Sequence, residues 1–148
     1  MKKKQYLFLG IIILIIILII ILIITFILLK NDKMTCVSKA LDDLRTTNEV
    51  IDIYYKGNEV KKIVQDVNHE FNDIEAKNIF NDFLDNTYNN LKDNKYIKIS
   101  KNEDELTYKV ISNIKVNKLK DEELASLQIS NNFKELQSIL ENKGFECK

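Results

Sequence analysis

Three hydropathy regimes follow one another along the chain. Tyr6 to Leu29 is an unbroken apolar run of 24 residues without a charge, holding 12 Ile and 7 Leu. After the polar collar Lys30-Asn31-Asp32-Lys33, the pattern changes to short alternating segments. Met34 to Lys39 reads as a first strand, and Val50-Ile51-Asp52-Ile53-Tyr54-Tyr55 is β-branched and aromatic as strands prefer. It meets the turn Lys56-Gly57-Asn58-Glu59 and then Val60 to Phe71, which predicts a hairpin. Tyr96 to Ser100, the turn Lys101 to Asp104, and Leu106 to Val116 predict a second hairpin. Its last arm sets Leu106, Tyr108, Val110, Ser112, Ile114 and Val116 on one face.

Between the hairpins the period shifts to 3.6. Asn72 with Glu75 three residues on predicts a capped helix of about 20 residues. Its inward stripe would be Ile74, Ile79, Phe80, Phe83, Leu84, Tyr88 and Leu91. Leu119 to Leu127 suggests a short helical turn, and Asn131 to Lys143 a last helix with Phe133, Leu136, Ile139 and Leu140 inward. Gly144 stands where a left-handed residue ends a helix. Phe145-Glu146-Cys147 would then return to the sheet edge beside Cys36. The expected domain, 34–148, is α+β: an antiparallel sheet of two hairpins with helices on one face.

As a helix the apolar run would reach about 36 Å, against a hydrocarbon core of roughly 30 Å. Its Leu and Ile residues would contribute on the order of −6 to −11 kcal/mol to insertion. A cleaved signal peptide has a much shorter apolar region ending in small residues, which Thr25 to Lys30 does not offer. The pattern therefore predicts a cytoplasmic basic N-terminus at 1–5, a transmembrane signal anchor at 6–29 with the bilayer as its partner, a collar at 30–33, and an extracellular domain. Lysines flank both ends of the run nearly equally, so the N-inside orientation rests on the short N-terminal flank and on the cysteines.

The only cysteines, Cys36 and Cys147, bracket the polar region. In an oxidising compartment such an even pair predicts a disulfide. Two free thiols in a cytosolic domain is the other reading, and two sulfurs with one histidine fall short of a four-ligand zinc site.

Charge narrows the partners. The whole chain is neutral, but from Met34 onward 16 Lys and one Arg face 21 acids, a balance of −4. No strong basic field remains, so nucleic acid is not an expected partner. His69, the only histidine, shares a strand face with Val67 and Phe71, where a packing role is commoner than a catalytic one. Asp42-Asp43 and Glu103-Asp104-Glu105 read as solvated turns. Asp85 to Asn90 lacks the glycine and terminal glutamate of a calcium loop. No catalytic, cofactor or metal residues are assigned.

The segments Tyr55-Lys56-Gly57-Asn58-Glu59-Val60 and Lys143-Gly144-Phe145-Glu146-Cys147-Lys148, with a cysteine opening the domain, resemble the YehR-like small bacterial cell-envelope lipoproteins. The resemblance also extends to membrane-anchored proteins of low-GC bacteria. It implies an α/β envelope domain without catalytic residues to carry over. This chain departs from the lipoproteins in having a long apolar helix where they carry a lipidated cysteine. The function expected is non-enzymatic binding of an envelope protein or ligand. Two alternatives stay open: a small envelope enzyme or thiol-active protein using Cys36, Cys147 or His69, and a structural subunit of a membrane complex.

Overall fold

The computed structural model describes residues 14–25 and 30–148. The chain divides into two compact units, Met1–Asn31 and Asp32–Lys148. In the first unit residues 14–25 are helical. Among the described residues no helix is long and apolar enough to cross a membrane. The transmembrane helix expected at 6–29 is thus not supported. Residues 1–13 and 26–29, on which the rest of that expectation falls, lie outside the described residues.

The second unit is a six-stranded antiparallel sheet with helices, where two hairpins were expected. The strands are β1 (Asp32–Leu41), β2 (Arg45–Lys56), β3 (Glu59–Phe71), β4 (Ile97–Glu103), β5 (Thr107–Ile114) and β6 (Glu146–Cys147). Their order across the sheet is β4-β5-β3-β2-β1-β6. The first three form a meander. Gly57, with φ +60°, makes the β2–β3 turn, a backbone conformation that costs glycine little. A turn at 42–44 joins β1 to β2 and extends both strands beyond the predicted segments.

Register aligns the core face into rows that change character along the sheet. One row reads Met34, Ile53, Ile63, Ile114, Ile97 across five strands. The next reads Cys147, Cys36, Ile51, Gln65, Ser112, Ile99. Two rows further on come Ala40, Thr47, His69, Tyr108 and Glu103. The apolar rows are covered by α2 (Asp121–Ser126) and α3 (Phe133–Asn142) through Leu124, Leu136 and Leu140. Phe133 stacks on Tyr55 with ring centroids 3.7 Å apart. The backbone N–H of Phe133 donates to the Asn58 carbonyl at 2.8 Å, docking α3 on the β2–β3 turn.

The polar rows lie under α1 (Ile74–Asn89), whose Ala76 and Leu84 pack with Phe71, Tyr108 and Val110. Here the predicted stripe is wrong in part. Phe80, Leu84 and Tyr88 face the sheet, but Ile74, Ile79 and Phe83 are exposed, and Ala76 and Lys77 are buried instead. With the inward face running through Ala76, Lys77, Phe80, Leu84 and Tyr88, the step of about 100° per residue puts Ile79 and Phe83 on its flank. The cap is also displaced: Asp73, not Asn72, accepts the N–H of Ala76 at 2.8 Å through its carboxylate. Asp73→Ala should therefore cost about 1 kcal/mol of domain stability, read as a lowered urea midpoint at unchanged slope.

Candidate functional site

The sulfurs of Cys36 and Cys147 stand 2.02 Å apart, bridging β1 to β6 in the register Cys36↔Cys147. Cys36 is fully buried. A bridged sulfur offers no thiolate, and nucleophilic sulfur chemistry needs one. His69 sits elsewhere, between Thr47 on β2 and Tyr108 on β5. It is 6% exposed, and its Nδ1 is 2.9 Å from the Thr47 hydroxyl. Its Nε2 is buried without a hydrogen-bond partner. Burial, and next the nearby Arg45 charge, push its pKa down to about 4, against a smaller opposing pull from Asp42. The imidazole is thus a neutral packing group at ordinary pH. The fold joins Cys36 to Cys147 and leaves His69 apart from them.

Concavities say little about a metabolite. A cavity of about 90 Å³ lies between the helices and the sheet, lined by Ile63, Leu136 and Leu140 with Gln65 and Ser112 as polar members. That is room for about three waters' share of liquid volume, too little for a substrate of ordinary size. An open polar depression of about 570 Å³ lies among Asn94, Tyr96, Lys120 and Glu123. Its polar groups are tied to one another, the Asn94 amide donating to the Glu123 carboxylate at 2.6 Å.

The feature that stands out is at the end of the sheet where β1 finishes and β2 begins. Asp42 folds the turn by accepting the N–H groups of Leu44 and Arg45 at 2.9 and 2.8 Å, and Arg45 Nε donates to the same carboxylate at 3.3 Å. The Leu44 N–H bond is the leading reason that this carboxyl is held below its usual range. The turn then fastens to the start of α1. The Asn72 N–H donates to the Leu44 carbonyl at 3.0 Å, and the Asn72 amide to the Asp43 carbonyl at 2.7 Å. Beside it, the Arg45 guanidinium lies 4.2 Å from the centre of the Phe80 ring, a cation–π contact that fixes the turn against the helix.

Large apolar side chains next to these ties are left uncovered. Leu44 on the turn is 39% exposed, and Ile79 and Phe83, one helical turn apart on the flank of α1 next to Phe80, are 62% and 64% exposed. Leu41, at the end of β1, is 73% exposed but alternates with Ala40 onto the sheet face away from α1. Asp42, Asp43, Glu75 and Asp82 neighbour these residues in sequence, all exposed. Exposed apolar groups on two elements braced to each other fit an interaction site better than scattered surface leucines do. Sequence reasoning missed these groups because Ile79 and Phe83 were assigned to the core. The excessive width of the predicted stripe was the available warning.

No family model and no curated protein matches the sequence. Among solved structures the chain is similar to the NMR structure of the YehR protein of E. coli, with a TM-score of 0.60 over 79% of this chain and 91% of that one. Sequence identity is 16%, so the likeness is one of fold: the chain has a YehR-like fold.

Proposed function

We propose that this chain is a non-enzymatic binding domain that works outside the cytoplasm at the bacterial cell envelope, and that it docks a partner where the β1–β2 turn is tied to α1, through Leu44, Ile79 and Phe83. The exposure of those three side chains carries the reading, since elements braced by Asp42, Asn72 and Arg45 hold their apolar groups in place before any partner arrives. The Cys36–Cys147 bridge supports an oxidising compartment, where such bonds persist. The enzymatic alternative needs a free thiolate or an accessible imidazole, and neither Cys36, Cys147 nor His69 provides one here.

The test is affinity capture from an envelope extract with residues 32–148 as bait, run beside the same bait carrying Phe83→Asp. A specific protein retained by the native bait and depleted tenfold or more on the variant is the expected result. Equal retention by both baits, or none by either, would remove these side chains from consideration.

A further inference from the structure

We infer that the sheet face turned away from the helices carries, at the end where β1 begins, a cationic row that seats the domain on an anionic phospholipid surface. All three helices of the second unit pack on the core face, through Ala76, Leu84, Leu124, Leu136 and Leu140. The other face is left open, and alternation places there the residues that stand between the buried ones. Lys33 lies opposite Tyr54, and Tyr54 opposite Lys62. One step beyond the Ile63↔Ile114 pair comes Lys115, exposed between the buried Ile114 and Val116. Its N–H donates to the Tyr96 carbonyl at 3.0 Å, which carries the row to β4. The next row reads Thr35, Asp52, Val64, Asn113 and Lys98.

Four lysines thus share two adjacent rows with a single acid, and that acid is engaged. Asp52 pairs with Lys33 at 2.8 Å and accepts the Thr35 hydroxyl at 2.7 Å. Among the described residues Lys62, Lys98 and Lys115 make no ion pair. The ammonium groups of Lys33 and Lys62 reach toward the Tyr54 ring from the two neighbouring strands, 5.9 and 5.1 Å from its centre. Further along the same face the charges cancel, with Lys109 paired to Asp66 at 3.0 Å. The free cations therefore collect at one end, against the negative balance of the region from Met34 onward.

Shape selects the occupant. Strands stand about 4.8 Å apart, so a row crossing five of them is roughly 20 Å long on an open sheet face. Charges spread along such a row meet an array of separate phosphates, where a single anion would touch only one or two of them. Lysine stems and tyrosine rings are apolar bodies with polar tips, the composition that sits at a lipid headgroup boundary. Each lysine near an anionic leaflet raises partition about fivefold, an effect that salt screens.

The experiment follows backbone amides of the full chain by NMR in non-ionic detergent micelles. About one-fifth of the detergent is replaced by phosphatidylglycerol, or by phosphatidylcholine as the neutral arm, each with a trace of its spin-labelled form. Signals of Lys33, Tyr54, Lys62, Tyr96, Lys98 and Lys115 should broaden severalfold more with the anionic lipid. Raising the salt from about 0.05 to about 0.5 M should remove most of that difference. Lys62→Gln, Lys98→Gln and Lys115→Gln together should raise the phosphatidylglycerol needed for half-maximal broadening at least about tenfold. An unchanged melting transition will verify that this variant is folded. Lys39→Gln, on the same face at its far end, should change nothing.

Equal broadening with both lipids reduces the contact to an apolar one and overturns the proposal. Broadening centred on Leu44, Ile79 and Phe83 overturns it while leaving the docking reading in place. In a third arm sodium polyphosphate is added without lipid. If it shifts these amides while phosphatidylglycerol leaves them unmoved, the occupant is a soluble polyanion and the lipid surface is overturned. No response from the row in any arm overturns it outright.

Discussion

Replacing Cys36 and Cys147 together by alanine should lower the unfolding free energy of the domain by about 4 to 5 kcal/mol. The two residues are 111 apart in sequence, so their bridge closes nearly the whole domain into one loop. The chain-entropy model assigns a loop of that size about this value, by removing open conformations from the unfolded ensemble. A small domain is commonly stable by only about 5–15 kcal/mol, so the loss would be a large share of the total. The native structure shows why no other contact replaces it. β6 is only Glu146–Cys147, and besides its short register with β1 it is held by reciprocal hydrogen bonds between Thr35 and Lys148, both 2.9 Å. Without the covalent tie these two residues fray, and α3 loses its fastening at the edge of the core. Urea denaturation of the native and double-alanine proteins measures this directly, and treatment of the native protein with a thiol reductant should reproduce most of the shift. A loss below about 1 kcal/mol would mean that the C-terminal strand stays docked unaided.

The second large effect is on pH. His69 carries an ordinary histidine pKa of about 6.5 in the unfolded chain and about 4 in the fold. Between those values the unfolded state binds more protons than the native state, so stability rises with pH across this window and is flat above it. Acidification from pH 7 should cost progressively more as pH falls below 6.5 and level off below 4, for a total of roughly 3 kcal/mol. The cause is structural: protonation would put a cation on a buried ring beside Arg45, with Nε2 given no acceptor. Two carboxyls act in a different window. Asp85, hydrogen-bonded by Lys101 and then by Tyr108, and Asp42, hydrogen-bonded first by the Leu44 N–H, are both held below their ordinary range. Their stabilisation is present above about pH 4 and is lost only on further acidification. The two contributions therefore separate along the pH axis. His69→Leu should flatten the stability curve between pH 4 and 6.5 while leaving the steeper loss below pH 4. A slope in the upper window that survives the substitution would show that another group titrates there.

Several elements were legible before the structure because they depend on local rules. Gly57 and Gly144 were placed at a turn and a helix end, and both have positive φ, +60° and +88°. The alternation around Tyr108, Val110, Ser112 and Ile114 gave the correct buried face of β5. The return of Cys147 beside Cys36 was expected from their bracketing positions, and the register pairs them directly. Other expectations failed for identifiable reasons. The transmembrane helix expected at 6–29 is not supported, since among the described residues no helix is long and apolar enough to cross a membrane. The β1–β2 hairpin was missed because its turn, Asp42-Asp43-Leu44, has no glycine and closes through the Asp42 carboxylate instead.

What the linear chain determined is thus most of the pieces: the centres of most strands and helices, the turns marked by glycine, and that the two sulfurs would meet if the ends of the domain did. Each follows from φ/ψ preference or side-chain periodicity over a few residues. The tertiary structure alone decided which face of α1 turns inward, that β3 pairs with β5, and that the β1–β2 turn is tied to the start of α1 while Leu44, Ile79 and Phe83 stay exposed. Those outcomes depend on contacts between residues tens of positions apart. Competition between faces of similar hydrophobicity is settled by the whole packed assembly, so no local window contains the answer.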